Sequence, residues 1–139
     1  MAPTSTQLLK FLIPGYLLTI AIEAPILFLL LSRRHALRKR FSAGLLLTAF
    51  TYPIVVLVLP PLLWSRFGYP VYITVAEIFA PLAECAVFYL YWIAPMEQGI
   101  PDSRRTLSLF QDFAAIIGAN LASWLGGGYL IARFVQGAA

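Results

Sequence analysis

The chain has 139 residues, of which 60% are hydrophobic and 12% carry a charge, whereas soluble domains carry about 25% charged residues. The net charge of +4 lies mainly in one short basic loop, with no separate polar domain, which argues against nucleic-acid binding. The single cysteine, Cys85, excludes an intrachain disulfide. The apolar excess predicts contact with a lipid bilayer, and we expect an all-α membrane protein.

Four apolar segments follow one another along the chain, and each is long enough to cross a bilayer core of about 30 Å as a helix. They comprise residues 8–31, 41–64, 71–93 and 107–134. The first is too long for the apolar core of a signal peptide. Short connections make neighbouring helices antiparallel. The sequence therefore predicts a single transmembrane domain over residues 1–139, folded as an up-down-up-down bundle of four transmembrane helices.

The basic residues predict the orientation of this bundle. Seven of the ten lie in two loops on one side, residues 32–40 and residues 94–106. Three lie on the other side: Lys10, Arg66 and Arg133. The positive-inside rule then makes both loops cytoplasmic and puts both termini outside. We expect the prokaryotic inner (plasma) membrane as the location.

The third segment carries two glutamates, Glu77 and Glu84, seven residues apart. Two helical turns separate them, so they share one helix face. Pro81 lies between them on this stripe, and Tyr91 continues it beyond Phe88. A charged carboxylate inside a bilayer is costly and normally faces a bundle interior or a water-filled cavity. This face therefore indicates where a polar site lies.

Two more polar residues lie near the middle of the first and fourth segments: Glu23, and Asn120 with Ser123 close by. No Lys, Arg or His lies deep in any segment, so the glutamates have no cationic partner in the chain. We expect them to be protonated, or compensated by a bound cation or an aqueous cavity. Each of these polar residues could instead only form a hydrogen bond between helices, worth about 1 kcal/mol. For Asn120 with Ser123, this structural role and a binding role both stay open.

Three prolines remove backbone donors close to these residues: Pro25, Pro53 beside Thr51 and Tyr52, and Pro81. Each frees the carbonyl four residues earlier, on Ala21, Ala49 and Glu77 respectively. Free carbonyls beside carboxylates form an oxygen-rich environment suited to protons or hard cations. Neighbouring hydroxyls or water can satisfy them instead. The residues do not specify a metal, and no cofactor is expected.

Two further polar residues lie near the cytoplasmic side. His35 lies in the basic loop, with no second histidine to complete a metal site, and it is expected to be solvated. Asp112 lies about one turn inside the fourth segment, where it can face water or favour the helix N-terminus.

The spaced residues resemble a pattern of small, uncharacterised prokaryotic four-span membrane proteins. The pattern comprises Glu23-Ala24-Pro25, Thr51-Tyr52-Pro53, Pro60, Trp64, Ala76-Glu77, Glu84, Asn120-Leu121-Ala122-Ser123 and Gly126. The resemblance implies the fold and the polar positions but no activity. That family often has Thr-His-Pro where this chain has Thr-Tyr-Pro, so any role of that histidine does not carry over.

Two functions compete on these grounds. The first is a transporter or channel component in which Glu23, Glu77, Glu84 and Asn120 line a site for protons or a cation. Four short helices enclose little volume, so this hypothesis expects a homo-oligomer. The second is a non-catalytic subunit or assembly factor of a larger membrane complex. An enzyme with glutamates as acid and base ranks last, and no catalytic residue is predicted.

Overall fold

The computed structural model describes residues 5–94 and 102–137, with side chains for residues 6, 8–94 and 106–127. These ranges form four helices and no strand. The helices are α1 (Ser5–Leu30), α2 (Leu37–Phe67), α3 (Tyr69–Ile93) and α4 (Asp102–Gly137). They agree with the four apolar segments, and the largest difference is that α4 begins at Asp102 instead of residue 107.

Three helices are long and apolar enough to cross a membrane by length and composition: Leu8–Leu30 of α1, α2 and α3. Large apolar side chains cover the outside of the bundle. Leu29 is 70% exposed, Leu82 63% and Phe110 73%. A soluble helical bundle turns such residues inward and presents polar side chains to water. This outer surface instead suits lipid chains.

Contacts between the helices give the topology. Residue numbers rise along one helix as they fall along its neighbour, so adjacent helices are antiparallel and α4 closes the ring against α1. The pairs that show this are Leu29–Arg40 and Glu23–Thr48 for α1 and α2, Val55–Tyr72 and Thr51–Glu84 for α2 and α3, and Leu30–Gln111 and Glu23–Ser123 for α1 and α4.

Prolines change the winding of α2. It is α-helical over Leu37–Pro53 and then π-helical over Ile54–Val58 and Pro60–Trp64. Within this part, the Leu59 N–H donates to the carbonyl of Ile54, five residues back. Proline has no N–H and cannot continue the usual ladder, and a wider turn accommodates the break. The helix therefore continues through the prolines to Phe67.

The connection between α2 and α3 is a single residue, Gly68. Its φ of +87° lies in a region that L side chains rarely adopt, so glycine is required there. The sequence led us to expect a longer break over residues 65–70, but Ser65–Phe67 is helical and α3 begins at Tyr69.

Three layers follow one another along the bundle axis. At the end with the α1–α2 loop lies a buried polar group, the Asp112 cluster (Ser32, Arg34, His35 and Asp112). Next comes an apolar layer of fully buried side chains, the apolar plug (Leu27, Leu47, Phe88 and Ile116). Beyond the plug lies a cavity lined by glutamates. The plug thus separates the cavity from the α1–α2 loop.

Candidate functional site

Glu23 projects from α1 into the bundle and is 2% exposed. Both of its carboxylate oxygens accept a hydrogen bond. The Thr48 hydroxyl on α2 donates to Oε2 over 2.7 Å, and the Ser123 hydroxyl on α4 donates to Oε1 over 2.6 Å. A carboxylate of α1 thereby connects two other helices.

Glu84 has the same type of environment on α3, and it is 1% exposed. The Thr51 hydroxyl on α2 donates to its Oε1 and the Asn120 amide on α4 donates to its Oε2, each over 2.7 Å. Each glutamate therefore receives one donor from α2 and one from α4.

Helical spacing explains how two helices serve two carboxylates. Thr48 and Thr51 are three residues apart on α2, as are Asn120 and Ser123 on α4. Residues at this spacing lie side by side on one helix face, roughly one turn apart. Since α1 and α3 both contact α2 and α4, one residue of each pair meets Glu23 and the other meets Glu84.

A cavity of about 130 Å³ lies between these side chains. Its wall is formed by Thr19, Glu23, Thr48, Thr51, Tyr52, Val55, Ala76, Glu77, Ala80, Glu84, Asn120, Ser123 and Trp124. A water molecule in the liquid occupies about 30 Å³. The cavity is therefore large enough for a few waters or a small hydrated ion, with Glu77 as a third acidic side chain in its wall.

No Lys, Arg or His from the described ranges lines this cavity. The donors that meet Glu23 and Glu84 are uncharged hydroxyl and amide groups, which satisfy hydrogen bonds without neutralising charge. Among the described residues, no three His, Cys, Asp or Glu side chains are grouped so that they could hold a metal ion. The site can therefore hold protons, or a cation that uses hydroxyl or amide oxygens besides carboxylate.

Seven of the residues singled out in the sequence line this one cavity: Glu23, Thr51, Tyr52, Glu77, Glu84, Asn120 and Ser123. The other four do not line it. Pro25 is exposed, Pro81 lies outside the wall, and Pro53 lines a separate apolar cleft between α1 and α2. Tyr91 is 74% exposed on the outside. It belongs to the π-helical turn Tyr89–Ile93, whose wider winding buries Ile93, so the stripe does not continue to Tyr91.

The three prolines were predicted to free carbonyls beside the carboxylates, and only one of the three residues concerned lies at the cavity. The residues whose carbonyls lose a partner to proline are Ala21, Ala49 and Glu77. Ala21 and Ala49 are exposed, and only Glu77 lies in the cavity wall. The groups that hydrogen-bond to Glu23 and Glu84 come from side chains.

Thr48 was missed in the sequence, although it donates to Glu23. Its spacing of three from Thr51 was the available signal, because that spacing places both hydroxyls on one face of α2.

His35 was expected to be solvated, and this was wrong, since it is only 3% exposed. Asp112, for which contact with water and interaction with the helix N-terminus were both open, is 0% exposed. The carboxylate of Asp112 accepts hydrogen bonds from the Ser32 backbone (2.7 Å), the Ser32 hydroxyl (3.1 Å) and Arg34 Nη2 (2.9 Å). His35 Nε2 lies 2.9 Å from Oδ2, and the imidazole meets Phe88 edge-on. The α1–α2 loop packs against α4, so His35 and Asp112 are buried against each other.

Comparison of the chain with known protein families, curated proteins and solved structures finds no match. The resemblance to small four-span proteins stays a prediction, and the functional argument depends on the residues of the cavity.

Proposed function

We propose that the protein is a membrane transporter or channel component that binds protons or a cation at Glu23 and Glu84. One observation carries this proposal: two fully buried carboxylates share a cavity in which all four carboxylate oxygens accept bonds from uncharged donors.

The energetic argument is that uncharged donors compensate a buried carboxylate only in part. Unpaired charges in a low-dielectric interior are strongly unfavourable, and intramembrane carboxylates mark ion pathways and proton relays for this reason. Because each glutamate bonds to α2 and α4, a change in its charge alters contacts on both helices. Such coupling between occupancy and helix packing is what a transport cycle requires.

The membrane topology forms part of the proposal. Three helices qualify as spans by length and composition, and α4 lies along α1 from Ser32–Asp112 at one end to Ile22–Gly126 further along. Packing of α4 along this part of the first span supports a fourth span. We propose four spans, both termini outside, and the 32–40 and 94–106 loops in the cytoplasm of a prokaryotic cell.

Reporter fusions at each terminus test this topology, using one reporter active only in the cytoplasm and one active only outside. Four spans put both termini on the same side of the membrane, whereas three spans put them on opposite sides. Signals from opposite sides would reject the fourth span.

Proton flux tests the function. The purified full chain is reconstituted in liposomes that contain a pH-sensitive dye, and a potassium diffusion potential drives protons inward. We expect influx above that of protein-free liposomes, with loss of most of it in Glu84→Gln and in Glu23→Gln. Parallel assays replace the proton gradient with gradients of Na⁺, K⁺ and Ca²⁺.

Thr74→Val is the matched control, since the Thr74 hydroxyl bonds to the Pro70 carbonyl on its own helix. It should keep full flux. Wild-type protein without flux of any tested cation, or Glu→Gln variants with unchanged flux, would contradict the proposal.

The oligomeric state needs its own experiment. A Cβ added at Gly118 on α4 would meet no atom of the described residues within 4 Å, and Gly118 lies in a shallow apolar surface with Phe110, Ala114 and Leu121. Small residues at such positions let helices approach closely in lipid. We propose a homo-oligomer, and the mass of the particle extracted in mild detergent tests it. Co-purification with unrelated chains would favour the alternative, a subunit or assembly factor of a larger complex.

A further inference from the structure

We propose that the cargo of the glutamate cavity is a proton, and that Thr51, Thr48 and Ser123 are hydroxyl switches that let Glu84 and Glu23 gain and lose it. This inference rests on the proposed function and names its cargo.

The geometry of the three hydroxyls carries the inference. Each one has two acceptors within hydrogen-bond distance, a carboxylate oxygen and a carbonyl of its own helix. For Thr51 these are Glu84 Oε1 at 2.7 Å and the Leu47 carbonyl at 3.2 Å. A hydroxyl has one proton but also accepts, so the two bonds are alternatives and a rotation about one C–O bond exchanges them.

The other two hydroxyls repeat this arrangement around Glu23. Thr48 lies 2.7 Å from Glu23 Oε2 and 3.3 Å from the Gly44 carbonyl. Ser123 lies 2.6 Å from Glu23 Oε1 and 2.9 Å from the Asn120 carbonyl. Both oxygens of Glu23 therefore face a group that can donate or accept.

Asn120 differs from the three hydroxyls because its amide nitrogen can donate but cannot accept. This difference determines which oxygen of Glu84 carries the proton. Its amide nitrogen donates to Glu84 Oε2 over 2.7 Å and to the Ile116 carbonyl over 3.1 Å. An amide NH₂ has two hydrogens and is not an acceptor, so both bonds persist together and Oε2 stays an acceptor. The proton of Glu84 accordingly resides on Oε1, opposite the Thr51 hydroxyl.

The protonation step follows from these contacts. Hydronium in the cavity transfers a proton to Oε1 of Glu84 and leaves a water. The Thr51 hydroxyl rotates its own proton to the Leu47 carbonyl and accepts the new O–H, and deprotonation reverses both movements. Each of these polar groups has a partner in both states, which a buried site requires.

Two observations favour a proton over a metal ion as cargo. The Asn120 amide keeps a donor hydrogen at Oε2 of Glu84, and among the described residues no three His, Cys, Asp or Glu side chains are grouped so that they could hold a metal ion. The titratable groups in the wall are Glu23 on α1, Tyr52 on α2, and Glu77 and Glu84 on α3, with none from the described part of α4.

Infrared difference spectra of the reconstituted full chain, recorded between neutral and acidic pH, test the inference. We expect carbonyl bands of protonated carboxyl groups to appear on acidification, with one component lost in Glu84→Gln and another in Glu23→Gln. In Thr51→Val the Glu84 component should move to higher wavenumber, because its O–H has lost its acceptor. Thr51→Ser, which keeps the hydroxyl, and the control Thr74→Val should leave it in place.

Two further variants test the hydroxyl switches independently if Thr51→Val does not fold. Thr48→Val and Ser123→Ala should shift the Glu23 component in the same way, and size-exclusion profiles check that each variant is folded. The spectra are repeated with excess Na⁺, K⁺, Ca²⁺ or tetramethylammonium, and we expect no change in the bands.

The outcomes separate the inference from the proposed function. Bands that appear but do not shift in folded Val and Ala variants would refute the hydroxyl switches and leave proton binding intact. Bands suppressed by one of the added cations would refute the proton as cargo and leave a cation-binding function. Absence of carboxyl bands together with absence of flux for every cation would refute both.

Discussion

Asp112→Asn probes the buried cluster that joins α4 to the α1–α2 loop. Asn keeps the shape and one oxygen for the Ser32 N–H, but it removes the charge that faces Arg34 and His35. The Arg34 side chain is 16% exposed and that of Asp112 is fully buried. Breaking a buried ion pair costs about 3–5 kcal/mol, and one hydrogen bond to a charged group contributes about 1.5–3 kcal/mol. Because Arg34 keeps some solvent and Asn keeps one bond, we expect a loss of about 3 kcal/mol in the free energy of unfolding.

The assay is reversible unfolding of the full chain in mixed micelles with increasing sodium dodecyl sulfate, followed by tryptophan fluorescence. Arg33→Gln is the matched control, since Arg33 is exposed in the same loop and should change stability by less than about 0.5 kcal/mol. A double-mutant cycle with Arg34→Gln should give a coupling of about 1–3 kcal/mol. A loss below about 1 kcal/mol for Asp112→Asn would refute the view that this carboxylate holds the helices together.

Three further predictions use the same unfolding assay. Gly44→Ala puts a Cβ 2.8 Å from the Ala24 Cα, so it should force α1 and α2 apart and cost about 1–3 kcal/mol. Gly127→Ala is the matched glycine change on α4. Because its Cβ meets no atom of the described chain within 4 Å, it should be neutral or stabilise by up to about 1 kcal/mol, and equal losses at both glycines would contradict this reasoning. Phe88→Ala leaves a cavity in the apolar plug, because the Phe88 side chain is only 1% exposed. The free energy of unfolding should fall by about 3–5 kcal/mol. A loss below about 1 kcal/mol would mean that the plug is loosely packed.

Local features of the sequence predicted the helices well. Runs of apolar residues longer than a bilayer core, broken by glycine, proline and charge, indicate helices whatever their neighbours are. The seven-residue spacing of Glu77 and Glu84 likewise determines a shared face by helix geometry alone, and both residues line the cavity. Tyr91 shows the limit of this reasoning, since one π-helical turn changes the rotation of every residue after it.

The partners of the polar residues were decided only by the tertiary structure. Periodicity specifies which face of a helix is polar, but it does not specify which helix lies opposite or at what height. Glu23 meets Ser123 across 100 residues of sequence, and Ser32 meets Asp112 across 80. His35 is buried because Asp112 lies beneath the loop, a relation that neither residue shows in its own surroundings. The sequence by itself determined an apolar, helical chain whose deeply placed glutamates have no Lys, Arg or His beside them, whereas helix packing decided which hydroxyl and amide groups meet Glu23 and Glu84.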